Sequence, residues 1–324
     1  MSADRLRVGA VVDGGGIPTS ALLEIVDHAE GIGMDAVWLP QMPNQLDVAT
    51  VLAALAAHTK RVRLASAVLP MYSRPPVVMA QSALTADAIS GGRVALGLGL
   101  GHRAVGDWMV GGKPAPALPA TREYLTVVTS MVRDGEVNFD GTWYSGHAAY
   151  IGERREDFPV YLGSFGPKMI ELAGELADGV ILWMCTTEYV TAHVLPALRR
   201  GWARRGGRPD GFKVVAMMHA GLSGDPERDR QIFGRTLGAY LRVATYRGLF
   251  NRSGFADSVA STRPDDAMVR ALGAFTEDEV TRRLVELRRC GVDEVGVAPA
   301  GTAKTSLDLC LKTLTRVSEI AGEG

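Results

Sequence analysis

Eight short runs of β-branched and aliphatic residues, each followed by a stretch of helical spacing, limit more than any other feature what this chain can fold into. The runs are Leu6–Val12, Ala36–Leu39, Val62–Leu69, Val94–Leu98, Val160–Leu162, Gly179–Met184, Val214–Ala220 and Glu294–Ala298. They are almost continuously apolar rather than alternating, as parallel strands covered on both faces are. The stretches between them predict helices over 19–32, 47–58, 76–89, 120–133, from 167, over 188–204, from 226, and over 277–290 and 304–320. Thr19 or Ser20 is the expected cap of the first helix, with Glu24 as its capping-box partner.

Eight strand–helix units are the count of an α/β fold of the (β/α)8 TIM barrel type. The 324 residues show no composition shift that marks a boundary, so a single domain over 1–324 is expected. The rival architecture, a doubly wound open sheet, wants GxGxxG after the first strand and an acid at the end of the second. Here Gly14 and Gly16 are followed by Thr19, and the second strand ends at Gln41. Two segments depart from the alternation. VNFDGTWYSGHAAYIG (137–152) reads as a small excursion of extended pieces, and residues 247–273, polar and glycine-containing, read as a loop-rich insertion.

Composition excludes several functional classes. Lys and Arg total 35 against 36 Asp and Glu, which argues against a nucleic-acid or polyanion surface. No apolar run approaches the ~18 residues of a membrane helix. Cys185, Cys290 and Cys310 have neither CxxC nor metal spacing, so a reducing, cytoplasmic setting is expected. The absence of HxH, HExxH and carboxylate clusters speaks against a metal site.

In a barrel, chemistry is carried at the C-terminal ends of the strands. That selects Asp13, Gln41, residues 67–72, 99–103, 163–168 and 183–186, His219 and Pro299. The glycine series ending in Gly99 and Gly101 lets backbone approach a flat ring, or simply packs a strand and turns. His102, directly after it, titrates near neutrality and is a candidate proton donor or polar clamp. Gly166 and Pro167 start a helix whose free N–H groups suit an anion, and Lys168 adds a positive charge; a plain βα turn is the bland alternative. Trp183 and Met184 either wall an apolar pocket or pack the core, and His219 reads as barrel-interior packing. Nothing near Cys185 in sequence lowers its pKa, so it is not expected to act as a nucleophile.

The stretches DAVWLPQ (35–41), RVRLASAVLPMYSRPPVVMAQSALTADAISGGRVALGLGLGH (61–102), VYLGSFGPKMIELAGELADGVILWM (160–184) and GVDEVGVAP (291–299) resemble the luciferase-like superfamily, in particular its branch that uses the deazaflavin coenzyme F420. The resemblance covers nearly the whole chain. It implies a luciferase-like barrel with insertions after strand 4 and before strand 8, and a cofactor ring across the C-terminal mouth. A non-proline cis peptide, matching Ala67–Val68, is implied behind the ring. The implied cofactor-binding set is Gln41, Ala67, Val68, Gly99, Gly101, His102, Ser164, Phe165, Gly166, Pro167, Lys168, Trp183 and Met184, with the phosphate at Gly166–Lys168. His102 and Gln41 are the expected catalytic residues. Many relatives carry an acid where this chain has Gln41, and a Gln cannot serve as a base. Reduction of an activated C=C or C=N bond of a small organic substrate is therefore expected, in preference to alcohol or sugar oxidation. FMN-dependent monooxygenation and a non-catalytic flavin- or deazaflavin-binding barrel are the alternatives. A homodimer is implied as well, and the helix VATVLAALAAH (48–58) is consistent with a buried face. Met42, Met71, Tyr72, Trp108, Met109 and Trp183 make the mouth apolar in this reading, and residues 247–273 are a candidate lid.

Overall fold

The computed structural model describes residues 6–101, 109, 111, 115–300 and 306–323. Eight strands, β1 (Arg7–Val11), β2 (Ala36–Leu39), β3 (Arg63–Ser66), β4 (Val94–Gly99), β5 (Val160–Gly163), β6 (Gly179–Leu182), β7 (Lys213–Ala220) and β8 (Glu294–Pro299), pair in parallel and in chain order. β8 also pairs with β1, Arg7 lying opposite Glu294, so the sheet closes into a barrel. Helices that include Thr19–Gly31, Val48–His58, Pro76–Ser90, Pro167–Leu176, Pro226–Tyr240, Glu277–Arg289 and Leu307–Glu323 surround it. The (β/α)8 expectation therefore holds, and the open sheet is excluded by closure.

Alternation along the strands divides the core in two. Val11, Ala36, Trp38, Ala65, Ala95, Tyr161, Ile181, Val215, Met217 and Ala298 point inward and form their own cluster. Their neighbours, such as Val37, Leu64, Leu96, Leu162, Val180 and Met218, point outward onto the helices. The interior is narrow, and its four large side chains leave room only for small ones opposite. A Cβ at Gly296 would stand 2.3 Å from Met217 Sδ, and one at Gly97 would stand 2.0 Å from Ser66 O.

The N-terminal end of the barrel is closed by charge. Arg63, the first residue of β3, forms an ion pair with the fully buried Glu294. Its Nη1 lies 3.3 Å from the Tyr161 hydroxyl, and its guanidinium stands 5.4 Å from the Trp38 ring centroid. A second arginine ties strands to helices from outside. Arg93 donates to Ala56 O, Thr59 O, Val62 O and Ser90 O at 2.8–3.0 Å, and to Thr59 Oγ1 at 2.8 Å. It thereby satisfies the open carbonyls at the end of the Val48–His58 helix.

The first helix begins differently from expectation. Pro18 occupies the cap position and no side chain caps the helix. The Pro18 carbonyl instead accepts from Ala21 and Leu22 N–H, leaving no capping role for Thr19, Ser20 or Glu24. The excursion after β4 is an antiparallel hairpin, Glu136–Phe139 with Gly146–Ala149. Glu123 pins it by accepting from the N–H groups of Thr142, Trp143 and Tyr144. The segment 247–273 is not loop-rich. Helices Ala244–Arg252, Ala256–Ser261 and Asp266–Leu272 fill it, followed by a two-residue strand, Gly273–Ala274, beside β7. These helices are short and polar on one side, which masks their period. Tyr246, Leu249, Phe250, Val259, Met268 and Leu272 are nevertheless buried, so the segment is packed core rather than a loose flap.

Two expectations about stability follow. Arg93→Ala should cost about 3 kcal/mol, and Arg93→Lys should recover little because a single ammonium cannot span the same carbonyls; urea unfolding measures both. Arg63→Met should destabilise by roughly 3–5 kcal/mol by stranding Glu294, and the double variant Arg63→Met/Glu294→Leu should regain most of that loss.

Candidate functional site at the C-terminal mouth

The upper end of β3 forms one floor of the mouth. After Ser66 the Ala67–Val68 peptide is cis, as the resemblance implies, and the chain then pairs again with β4 through Leu69–Pro70. The Val68 side chain lies over two glycines. A Cβ at Gly99 would meet Val68 Cγ2 at 2.4 Å, and one at Gly163 would meet Val68 Cγ1 at 2.6 Å. Ala67, Val68, Gly99 and Gly163 thus meet in a smooth apolar surface built from three strands. Gly101, at φ +66°, packs against the Tyr72 ring, where a Cβ would stand 2.5 Å from Cε1.

The loop after β5 is a rigid backbone turn. Ser164 N–H donates to Ile181 O, and Ser164 Oγ accepts from Gly166 N–H at 3.3 Å. The Tyr189 hydroxyl donates to Phe165 O at 2.8 Å. Gly166 caps the Pro167–Leu176 helix, and nothing lies within 4 Å of where its Cβ would be. The turn therefore presents open backbone at the positive end of a helix, with exposed Lys168 beside it.

Above β6, Trp183 is followed by Met184, a buried residue at φ +57°, a conformation rarely taken by a non-glycine residue. Burial pushes the Cys185 thiol up to about 12, in keeping with its expected inertness. His219, near the end of β7, is opposite the inward-facing Ala298 and so points inward too. Its ring stands 4.9 Å from Trp183 and 4.5 Å from Phe233, and burial drives its pKa down to about 3.

These rings belong to a longer series. Phe165 and Tyr246 are 5.0 Å apart, Tyr246 and Tyr240 4.6 Å, and Tyr240 and Trp183 6.3 Å. Burial raises both tyrosine hydroxyls above their usual range, so they remain protonated. Tyr189, Tyr240, Tyr246 and Phe233 escaped the sequence reading. The closely spaced aromatics Tyr240, Tyr246 and Phe250 were the available signal, hidden by the reading of 247–273 as a loop-rich insertion.

Gln41 departs from its expected place facing a ring. Its Oε1 accepts from Val48 N–H at 2.7 Å and its Nε2 donates to Met42 O, so the side chain serves the start of the Val48–His58 helix. His102 lies outside the described residues. The structure therefore brings Ala67, Val68 and Gly99 together, arranges Ser164, Phe165, Gly166, Pro167 and Lys168 as one turn, and links that turn to Trp183 through tyrosines. Among the described residues no group of three or more His, Cys, Asp or Glu side chains is placed to hold a metal. No helix among them is long and apolar enough to cross a membrane.

Comparison with known proteins agrees with this architecture. The chain belongs to the luciferase-like monooxygenase family, whose model matches residues 4–294. It is 35% identical over 169 residues to the 5,10-methylenetetrahydromethanopterin reductase of Methanolobus tindarius, a match spanning 51% of this chain and about half (52%) of that relative. The enzyme of the same name from Archaeoglobus fulgidus is 28% identical over 298 residues, covering 83% of this chain and 86% of its own. The solved coenzyme F420-dependent tetrahydromethanopterin reductase of Methanopyrus kandleri superposes with a TM-score of 0.79 at 21% identity, over 97% of this chain and 98% of that one.

The His219 environment has a consequence for pH. A native pKa near 3 against an ordinary 6.5 means that the unfolded chain takes up a proton that the native chain refuses. The neutral imidazole is fully compatible with the fold above about pH 6.5, and stability falls as pH drops from there toward 3. His219→Phe should therefore lose less stability than the parent between pH 7 and 4.5, by roughly 2 kcal/mol. Denaturant titrations of both proteins at the two pH values measure the difference.

Proposed function

We propose that this protein is an F420-dependent oxidoreductase that reduces an activated C=C or C=N bond of a small organic substrate. The observation that carries the reading is near-full-length likeness to the Archaeoglobus reductase, 28% identical across 83% of the chain. The residues at the mouth suit the cofactor. Val68 over Gly99 and Gly163 offers a flat apolar floor for a ring, and the open backbone at Gly166 beside Lys168 suits an anionic tail.

When bound in its reduced form, the deazaflavin supplies the hydride. The chain's part is to bind, orient and exclude water. Ala67 and Val68 support the ring, while Ser164, Phe165, Gly166, Pro167 and Lys168 hold the tail. Trp183, Tyr240 and Tyr246 close the β6–β7 side with their rings, and the two tyrosine hydroxyls stay protonated. His102, at the end of the glycine series, is assigned the proton delivered to the substrate as hydride arrives, with water as the alternative donor.

Rim chemistry favours reduction over alcohol oxidation. Gln41 carries no charge and is engaged by backbone, and Asp13 Oδ1 is turned onto Gly15 N–H at 2.8 Å. The amide of Gln41 cannot serve as a base. The chain is further assigned to the cytoplasm as a homodimer, with Cys185, Cys290 and Cys310 free in support of the reducing setting.

Titration with F420 and with FMN, followed by turnover of the reduced cofactors on a panel of enones and cyclic imines, tests the proposal. Micromolar F420 binding and oxygen-independent turnover are expected, with affinity on the order of −8 kcal/mol. Oxygen-dependent product with reduced FMN and none with F420 would replace it by monooxygenation, and tight binding without turnover by a carrier role. His102→Ala should slow turnover by roughly 10²-fold while leaving F420 affinity nearly intact; unchanged turnover removes His102 from the reaction.

A further inference from the structure

Beside the turn 164–168 stands a buried titratable group with no part in the chemistry above. Tyr189 is 1% exposed, and its hydroxyl donates to Phe165 O at 2.8 Å. The residue is itself held in place. Thr186 caps the short helix Thr187–Tyr189, its Oγ1 accepting from Tyr189 N–H at 3.2 Å, and the His193 ring stands 4.7 Å from the phenol ring. The Arg252 side chain reaches the same hydroxyl from another element. Arg252 is exposed and ends the helix Ala244–Arg252, whose Tyr246 ring packs on Phe165 at 5.0 Å. That helix therefore meets residue 165 twice, once ring to ring and once from guanidinium through hydroxyl to carbonyl.

The direction of this chain is fixed by donor chemistry. A guanidinium can only donate, so the phenol oxygen accepts from Arg252 and sends its own proton to Phe165 O. Burial raises the Tyr189 pKa and outweighs the opposing contact with Arg252, so the hydroxyl keeps that proton.

The consequence lies on the other face of the turn. A trans peptide points its C=O and its N–H in opposite directions, and the peptide between Phe165 and Gly166 is trans. Holding Phe165 O against Tyr189 on one side turns Gly166 N–H to the other, where it meets Ser164 Oγ at 3.3 Å. That distance is long for an N–H···O bond, so an anionic oxygen can displace the hydroxyl. Few other backbone donors await a tail there. Pro167 has no N–H, and the N–H groups of Met169 and Ile170 both donate to Gly166 O, at 3.0 and 2.9 Å. Gly166 and Lys168 supply what remains of the first turn, so the aim of one peptide decides much of the main-chain hold.

Resting on the reductase reading, we propose that Tyr189 is a positioning residue for the cofactor's anionic tail: oriented by Arg252, its hydroxyl holds the Phe165 carbonyl so that Gly166 N–H faces the tail phosphate. Neither side chain touches the cofactor. The insertion before β8 thus governs cofactor retention from behind the turn, through a single peptide.

The test is a fluorescence titration of the full chain with oxidised F420 and with FO, the same ring and ribityl chain without phosphate or carboxylates. Tyr189→Phe keeps the buried ring and should raise the F420 Kd about tenfold, equal to roughly 1.4 kcal/mol, while the FO Kd stays within about twofold of the parent. Arg252→Ala should raise the F420 Kd about three- to fivefold, and Arg252→Lys, which still donates, should return it to within about twofold. The double variant Tyr189→Phe/Arg252→Ala should bind F420 no more weakly than Tyr189→Phe alone, because Arg252 acts only through the hydroxyl. An unchanged F420 Kd in Tyr189→Phe would reduce the hydroxyl to packing, and equal losses for F420 and FO would make the effect a general one on the fold. Additive losses in the double variant would place Arg252 directly on the tail and overturn the relay. If Tyr189→Phe does not fold, the variants of exposed Arg252 carry the same comparison of F420 with FO. A parent that binds F420 no better than FO would overturn the placement of the tail at this turn. A parent that binds neither would overturn the function proposed above.

Discussion

Closing eight parallel strands on themselves leaves a cylinder only wide enough for a few large side chains, and this steric limit governs the rest of the molecule. Trp38, Tyr161, Ile181 and Met217 take the available interior space. The positions facing them must be small, which is why Ala36, Ala65, Ala95, Gly97 and Gly296 occupy the strands. Arg63 and Glu294 seal the lower end, one guanidinium meeting a buried carboxylate, a tyrosine hydroxyl and an indole face. Among the described residues the lumen is filled and its lower end blocked, so the barrel interior itself holds no ligand-sized space.

That rim is assembled from two unlike halves. On the β3–β5 side the chain removes side chains: Gly99 and Gly163 make way for Val68, and Gly166 leaves the start of a helix bare. On the β6–β7 side it adds them, running from Phe165 through Tyr246 and Tyr240 to Trp183, His219 and Phe233. Backbone and open space suit a rigid cofactor that is always the same. The helices before β8 supply Tyr246, so the insertion is part of the wall and owes its order to Leu249, Phe250, Met268 and Leu272 packed beneath it.

Motifs that looked functional in the sequence divide along the same line. Arg93, within the stretch 61–102 that carries the resemblance, serves structure: it reaches Ala56 O, Thr59 O and Thr59 Oγ1 at the end of a neighbouring helix, Ser90 O at the end of the preceding one, and Val62 O just before β3. Gln41, read as a ring contact, accepts the first N–H of the Val48–His58 helix, which Asp47 caps. The Gly99, Gly166 and Trp183 positions did mark the rim, because their meaning rests on strand ends that periodicity locates well. The first helix cap and the insertion were misread for a shared reason. Pro18 acts through its carbonyl rather than a side chain, and helices of six to nine residues are too short to display a period.

Strand order, closure and the approximate rim were determined by the sequence alone, since the alternation of apolar runs with helical spacing leaves a parallel chain almost no other way to bury both faces of its sheet. Which way each rim side chain turns was decided only in three dimensions. Gln41 faces a helix because Val48 N–H needs an acceptor, and His219 is neutral because Trp183 and Phe233, 36 and 14 residues away along the chain, exclude water from it. Hydrogen-bond partners and desolvation come from neighbours distant in the chain, and no local pattern carries them.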